Sequence, residues 1–548
     1  MATVQKRISM FAPASFNLEE LLLLAGSLRG QPCHCDRSQR NKSGSMNWAI
    51  ALTFEDNVEW IFRSPQQTYH SPSSFDDTYI AKIIASEVAT IRHIREQTSV
   101  PVAEVFAFRY SREVLKRDGN GDKLVADLMS PTKDNKVGVP YILQSKAVGT
   151  CLLDYSFREM RGQPGLSEEQ RADILRQLGV ITQQLAQIRF SGIGSLVPNR
   201  DDPGECLSPG LTWNGRHALG ELARGPFKND VEYYCALATA LKRHAMELPM
   251  DLHMLRAPIP EEAEYSTTAA FRAACRRWDE FVVVGCKTED SRNRFDYCLT
   301  AELLQDTAIP QMLWPSERSG FALKHPDLHV GNLFVDDSLK ITCIIDWSCA
   351  TTVPDVELLS APRLWGVNAA HSTAFREGLT LSAACMSSPG SPGFLATGQD
   401  DHIWAAAERV RLFQRLVRFC SVRDYDYLDE LFVRLDSSVS AITPSTSSVA
   451  DELWRRMQTP QSQPLRAKLQ EEDMSPEEIA NIEQGYYTEA FWRGETEHLA
   501  VARKLALMWH MNPRFVADCR LWRWLNAALG PDNDDEAEDG YVMKADPK

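Results

Sequence analysis

Hydrophobic and polar positions alternate with a period of two from Asn47 to Arg63. Trp48, Ile50, Leu52 and Phe54 form one run, Val58, Trp60 and Phe62 a second, and Glu55-Asp56-Asn57 lies between them. A period of two sends alternate side chains to opposite faces of a strand, and a short polar break joins two such strands, so this stretch predicts a β-hairpin. Val100–Phe108 and Pro140–Gln144 predict further strands on either side of a polar loop around Asp118–Asp122. Ser86–Glu96 carries Val88, Ile91 and Ile94 on one stripe, the spacing of an amphipathic helix. Phe16–Leu21 predicts a short helix with Asn17 as its N-cap and Glu20 three residues on. The first 145 residues therefore predict an antiparallel sheet with one inserted helix.

The pattern changes after Gly149. Leu166–Phe190 predicts a long helix starting at Ser167, and Asp230–Met246, Thr268–Val284, Asp401–Phe419 and Tyr425–Leu435 predict more. Ser475-Pro476-Glu477-Glu478 combines an N-cap serine, proline in the first turn and glutamate in the capping-box place. Helical pattern runs from there to about Ala528. The exception is a β-rich island, Gly331–Trp347. Met386–Gly398 and the Ser/Thr-rich Ser437–Val449 predict loops, and the acidic stretch after Pro531 a disordered tail. The expected organisation is a lead-in over 1–40, a β-rich lobe over 41–148 and a helical lobe over 149–436. A Ser/Thr-rich loop over 437–450, a helical extension over 451–530 and a tail over 531–548 follow.

Composition narrows the function classes. The 548 residues are 44% hydrophobic and 24% charged, which excludes a mostly disordered chain, a fibre and a multi-span membrane protein. The formal net charge is -15, with six acids between Pro531 and Gly540, which argues against nucleic acid or an anionic membrane as partner. Thirteen cysteines spread along the chain predict reduced thiols in an intracellular protein. Cys33-His34-Cys35 has no second cluster to complete a metal site and is expected to pack. Tryptophans 454, 492, 509, 522 and 524 fall on helical patterns and are expected in the core. No secretory pattern is read at the N-terminus, and a cytoplasmic location is expected, with a mitochondrial one the alternative.

The chemistry concentrates in His325-Pro326-Asp327-Leu328-His329-Val330-Gly331-Asn332, followed fourteen residues later by Asp346 in Ile344-Ile345-Asp346-Trp347. Phosphoryl transfer needs a carboxylate beside the acceptor hydroxyl and hard oxygen ligands for the magnesium on the triphosphate. An aspartate, an asparagine five residues on and a second aspartate beyond a hairpin supply these groups. Taken singly, Asp327 and Asn332 suit turns and caps, and Asp346 suits a strand end. The joint spacing, behind a separate β-rich region, is what argues for a site.

His325–Asn332 with Ile345-Asp346-Trp347 resembles the aminoglycoside phosphotransferase family, and more narrowly its large fungal members. Trp60–Pro65 and Phe190–Leu196 support the resemblance, which covers about residues 16 to 360. It implies a bilobal, protein-kinase-like α+β fold: an antiparallel β-rich N-lobe, a mainly helical C-lobe and here a helical extension. It implies ATP and Mg2+ as cofactors and a hydroxyl of a small molecule as acceptor. Asp327 matches the catalytic base, Asn332 and Asp346 the magnesium ligands, and His325 a brace of the catalytic loop. Arg63 stands where the phosphate-contacting lysine is placed, and Glu87 matches its ion-pair partner. Tyr141–Lys146, including Gln144 and Lys146, matches the hinge that binds adenine. Two features depart from the pattern: the phosphate-covering loop Lys42–Asn47 has one glycine, Gly44, and Arg63 replaces a lysine. They keep open an alternative, a kinase-like pseudoenzyme or nucleotide-binding scaffold. The absence of an Ala-Pro-Glu segment after Asp346, where Val353–Leu358 leads into helix, argues against a polypeptide substrate. His329 is read as an orienting group for acceptor or phosphate, or as a structural hydrogen-bonder.

Overall fold

The computed structural model describes residues 16–39, 42–43, 46–66, 75–110, 135–260, 262–282, 284, 287–314, 319–386, 401–418, 424–439, 449–492, 496–512 and 514–529. The loop expected around 118–122, most of the loops expected at 386–398 and 437–449, and the acidic tail lie outside these residues. The chain forms two compact units. The first comprises Met1–Ala218, Ala223–Tyr233 and Trp314–Ala407, and the second Leu219–Leu222, Tyr234–Leu313 and Glu408–Lys548.

The first unit begins with helix α1 (Leu18–Arg29), whose N-cap Asn17 accepts from the Glu20 N–H at 3.1 Å. A six-stranded antiparallel sheet follows, from β1 (Cys33–His34), β2 (Lys42–Ser43), β3 (Asn47–Phe54), β4 (Glu59–Pro65), β5 (Val105–Arg109) and β6 (Tyr141–Ser145). Its order is β1-β3-β4-β6-β5, with β2 also on β3. Alternation does what the pattern predicts. Trp48, Ile50, Leu52, Phe54, Trp60, Phe62 and Leu143 share one face and bury against Leu18, Leu21 and Ala25 of α1.

The other face carries Ile142, which packs on Ile80, Ile84 and Val88 of helix α2 (Asp77–Gln97). Because Arg63 pairs with Ile142 across the ladder, the same alternation turns it toward α2. Helix α2 starts well before the predicted Ser86. Tyr79, Ile80, Ala81, Ile83, Ile84 and Ala85 are all buried, and the few half-exposed positions, Asp77, Thr78 and Lys82, make a polar stripe too narrow to reveal a helical period. Asp76 caps it, accepting from the Tyr79 N–H at 2.7 Å.

The helical part of this unit contains α3 (Leu152–Met160) and α4 (Glu168–Gln187), the latter opened by a Ser167–Gln170 capping box. Two small sheets are set into it. Strands β7 (Thr150–Cys151), β10 (Leu333–Val335) and β11 (Ile341–Ile344) form one; β8 (Arg189–Phe190), β9 (Phe321–Lys324) and β12 (Thr351–Val353) form the other. The first sheet contains the expected hairpin, joined by β7, which the pattern did not reveal. The β-rich lobe is linked to it directly: the Ile344 N–H donates to the Pro101 carbonyl at 2.8 Å, and Val102 bridges to Ile344. An antiparallel β-rich lobe followed by a mainly helical one is the α+β arrangement expected from the sequence.

The second unit is helical. Met254, Trp278, Phe281, Trp509, Phe515 and Trp522 form its main core, which joins residues more than two hundred positions apart. Arg256 and Asp296 form a fully buried bidentate pair at 2.6 and 2.8 Å. Among the described residues, the helical pattern after Ser475 holds the helices Pro476–Trp492, Thr496–Met511 and Cys519–Leu529. Of the later tryptophans, Trp509 and Trp522 are buried as expected. Trp492 and Trp524 are exposed, because each falls on the outer face of its helix.

Gly149 sets the entry to β7 with φ 95°, and a Cβ there would stand 2.2 Å from the Val335 carbonyl oxygen. Gly149→Ala is expected to destabilise the protein by about 3 kcal/mol. Gly30→Ala, equally left-handed but with open space around it, should cost about 1 kcal/mol. The shift in urea unfolding midpoint measures the difference.

Candidate active site

A single turn of 3-10 helix, Val330–Asn332, delivers Asn332 to the start of β10. His329 caps this turn, its Nδ1 accepting from the Gly331 N–H at 3.0 Å. Asn332 is buried, and its Nδ2 donates to the Asp327 carbonyl at 2.9 Å. That bond turns its Oδ1 away as the side chain's remaining acceptor. The Asn332 carbonyl accepts from the Ile345 N–H at 3.0 Å, which joins the loop to the end of β11.

His325 braces both ends of this arrangement. Its Nε2–H donates to the Ile345 carbonyl at 3.0 Å, and its Nδ1 accepts from the Asp327 N–H at 3.2 Å. One nitrogen donating and one accepting requires a neutral ring. Burial favours that form and holds the imidazole below the usual histidine range. The ring meets Trp347 edge-on at 4.7 Å, and Trp347 Nε1–H donates to the Ile344 carbonyl at 3.1 Å. Against these buried groups, the side chains of Asp327 and Asp346 remain 39% and 41% exposed, so both carboxylates are open to a ligand. Asp346 has φ 64°, a left-handed conformation that aspartate tolerates better than most residues.

Arg63 and Glu87 form an ion pair. The other guanidinium arm reaches Asp346 Oδ1 at 3.3 Å. Glu87 is 2% exposed, and its Oε2 also accepts from Ser348 Oγ at 2.8 Å. Burial alone would lower the basicity of Arg63, but the two carboxylates outweigh it and hold the guanidinium above its ordinary value. The site thus contains a fixed cation, two solvent-facing carboxylates and an oriented amide oxygen.

The remaining candidates are distributed differently. Gln144 is buried in β6 opposite Ile61, and its Oε1 has no hydrogen-bond partner among the described residues. Lys146 pairs with Glu59, at the other end of β4 from Arg63 and roughly 13 Å away along the strand. Its ammonium therefore does not join the Arg63 cluster. His329 Nε2 lies 3.9 Å from Asp327 Oδ2. Gly44 and Ser45 of the expected phosphate-covering loop lie outside the described residues.

Sequence reading did not single out Ser348 or Thr352, and gave Ser195 no role beyond its place in Phe190–Leu196. Ser195 Oγ donates to the Ala350 carbonyl at 2.8 Å, and Thr352 Oγ1 donates to the Gly192 carbonyl at 2.7 Å. These bonds seat Phe190–Leu196 under the turn that follows Asp346. A small hydroxyl side chain has no pattern that announces a partner more than a hundred residues away.

The profile of the phosphotransferase enzyme family, APH, matches residues 52–369, and the chain belongs to this family. Over 350 residues it is 24% identical to a subtelomeric hrmA-associated cluster protein of Aspergillus fumigatus, found in two strains. That match covers 59% of this chain and spans 59% of the relative's length. Among solved structures it is similar to a macrolide 2'-phosphotransferase of Brachybacterium faecium, with 14% identity and a TM-score of 0.32, covering 76% of this chain and 97% of that one. It is also similar to an AMP-bound spectinomycin phosphotransferase, with 12% identity and a TM-score of 0.33, covering 84% of this chain and 100% of that one.

Removing Glu87 leaves the buried Arg63 guanidinium only the longer contact to the half-exposed Asp346 carboxylate. Glu87→Gln is therefore expected to destabilise the first unit by about 3 kcal/mol. The double variant Arg63→Met/Glu87→Leu should cost less than the sum of its single changes, because no orphan charge remains. Urea unfolding of the wild type, Glu87→Gln, Arg63→Met, Glu87→Leu and the double variant checks this.

Proposed function

We propose that this protein is an ATP- and magnesium-dependent kinase that transfers the γ-phosphate to a hydroxyl of a small molecule. The observation that carries the reading is the convergence on one hairpin. Asn332 is oriented by the Asp327 carbonyl at one end, and Asp346 is met by Arg63 at 3.3 Å at the other. Membership of the phosphotransferase enzyme family supports it.

In this reading Asp327 accepts the proton of the acceptor hydroxyl as its oxygen bonds to the γ-phosphorus, the bond from that phosphorus to the β–γ bridging oxygen breaks, and ADP leaves. His325 keeps the loop in place through its two backbone hydrogen bonds. Arg63 contacts the phosphates, Glu87 aligns it, and backbone groups of Tyr141–Lys146 hold adenine, with Gln144 beside them.

The donor set fits magnesium. Asn332 Oδ1 and the Asp346 carboxylate are hard oxygen ligands. Among the described residues no three His, Cys, Asp or Glu side chains converge into a closed cage. That suits an ion that takes one or two protein ligands and fills its shell with phosphate oxygens and water. When bound, magnesium neutralises charge on the triphosphate.

A second reading has its own support. Arg63 already holds one oxygen of the Asp346 carboxylate, which favours a kinase-like scaffold in which that contact persists. An ATP-consumption screen across choline-like, sugar and aminoglycoside alcohols, with three proteins, separates the two. The kinase reading expects turnover by the wild type with at least one acceptor. Asp346→Ala should weaken Mg-ATP binding and turnover together. Asp327→Asn should leave Mg-ATP binding nearly unchanged while turnover falls about 10²- to 10⁴-fold. Mg-ATP binding without turnover, together with Asp327→Asn indistinguishable from wild type, sinks the kinase reading and leaves the scaffold.

A further inference from the structure

The Arg63–Glu87 pair is held from a third side. Ser348, two residues after Asp346, is 6% exposed and donates its hydroxyl to Glu87 Oε2 at 2.8 Å. A buried serine commonly satisfies its hydroxyl locally, on a carbonyl three or four residues back. Here the donor reaches a carboxylate on a helix 261 positions away in the chain. The bond is charge-assisted, and it goes to the oxygen that Arg63 also uses, while Glu87 Oε1 is buried without a partner among the described residues. Without Ser348, one side of the Glu87 carboxylate would rest on Arg63 alone.

The contacts close a ring. Asp346 meets Arg63, Arg63 meets Glu87, Glu87 meets Ser348, and the backbone from 346 to 348 completes the circuit. The segment that closes it is conformationally demanding, with left-handed φ values of 64° at Asp346 and 63° at Cys349. Such a turn persists when its surroundings over-determine it. Below it, the Ala350 N–H donates to the Trp347 carbonyl at 3.0 Å, and Ser195 holds the Ala350 carbonyl. On its upper side Cys349 packs with Tyr79 and Ile83 of α2, a non-directional contact, and Ser348 supplies the polar bond to that helix.

We propose that Ser348 is a positioning residue: its hydroxyl fixes the Glu87 carboxylate and thereby locks α2 to the loop carrying Asp346 before any nucleotide arrives. The consequence for nucleotide binding rests on the kinase reading above; the lock itself does not. With α2 and the loop joined, Arg63 and Asp346 are presented together, and Mg-ATP meets a preorganised pair.

The test uses the full chain, with hydrogen exchange on the ligand-free protein and Mg-ATP titration in parallel. Ser348→Ala should speed exchange about tenfold in peptides covering 77–97 and 345–350, with other segments unchanged. It should weaken Mg-ATP binding about three- to tenfold. Ser348→Thr, which keeps the hydroxyl, should restore both, and Ser348→Cys, a weak donor of similar size, should fall between. Two results overturn the proposal: Ser348→Ala matching wild type in both measurements, or the alanine, threonine and cysteine variants loosening the whole first unit alike, as a simple packing residue would. A wild type that fails to bind Mg-ATP, yet shows the local exchange change in Ser348→Ala, supports the lock and removes the kinase reading.

Discussion

A guanidinium sunk between a sheet and a helix is the constraint on which the first unit depends. Arg63 leaves bulk water, and ion desolvation costs several kcal/mol unless opposite charge and hydrogen bonds repay it. Glu87 repays most of it from α2, and Asp346 adds to it from the loop after β11. One cation therefore dictates the spacing of three elements: β4, α2 and the loop that ends in Trp347. The apolar packing around it is compatible with that spacing, with Ile142 and Val88 in the same layer, but apolar contacts are non-directional and would tolerate a slid or rotated helix. The ion pair would not.

The arginine matters as an arginine. A lysine offers one compact charge, whereas a guanidinium offers a planar fork with several donors. Here one arm meets Glu87 and another Asp346, so two carboxylates on different elements are bridged by a single side chain. The bridge gives rigidity. It also joins a residue proposed to hold metal to a residue proposed to hold phosphate.

Around this polar centre the loop uses many short, individually modest bonds. His325 holds two backbone groups, Asn332 holds one and is held by another, and Trp347 closes the underside. None of these groups is exposed enough to lose its energy to water. The two groups left open, Asp327 and Asp346, are those whose proposed work lies outside the protein. This division between buried scaffolding and open carboxylates is what separates a site from an ordinary hairpin.

By itself the sequence determined what local periodicity and spacing encode. The β3–β4 hairpin follows from alternation, α4 from its helical pattern starting at Ser167, the helix at Pro476 from its capping-box signature, and the phosphotransferase family from Asp327, Asn332 and Asp346. It placed Arg63 and Glu87 as partners only through resemblance. The early turns of α2 were hidden because a helix buried on most sides shows only a narrow polar stripe, and β7 because two residues are too few to show a period. The core joining Trp278 to Trp509 and Trp522, and the reach of Ser348 to Glu87, were left to the tertiary structure. A long-range contact leaves no mark on the local pattern of either partner: it depends on where the folded chain brings two distant segments, and a serine or tryptophan looks the same in sequence whichever segment it meets.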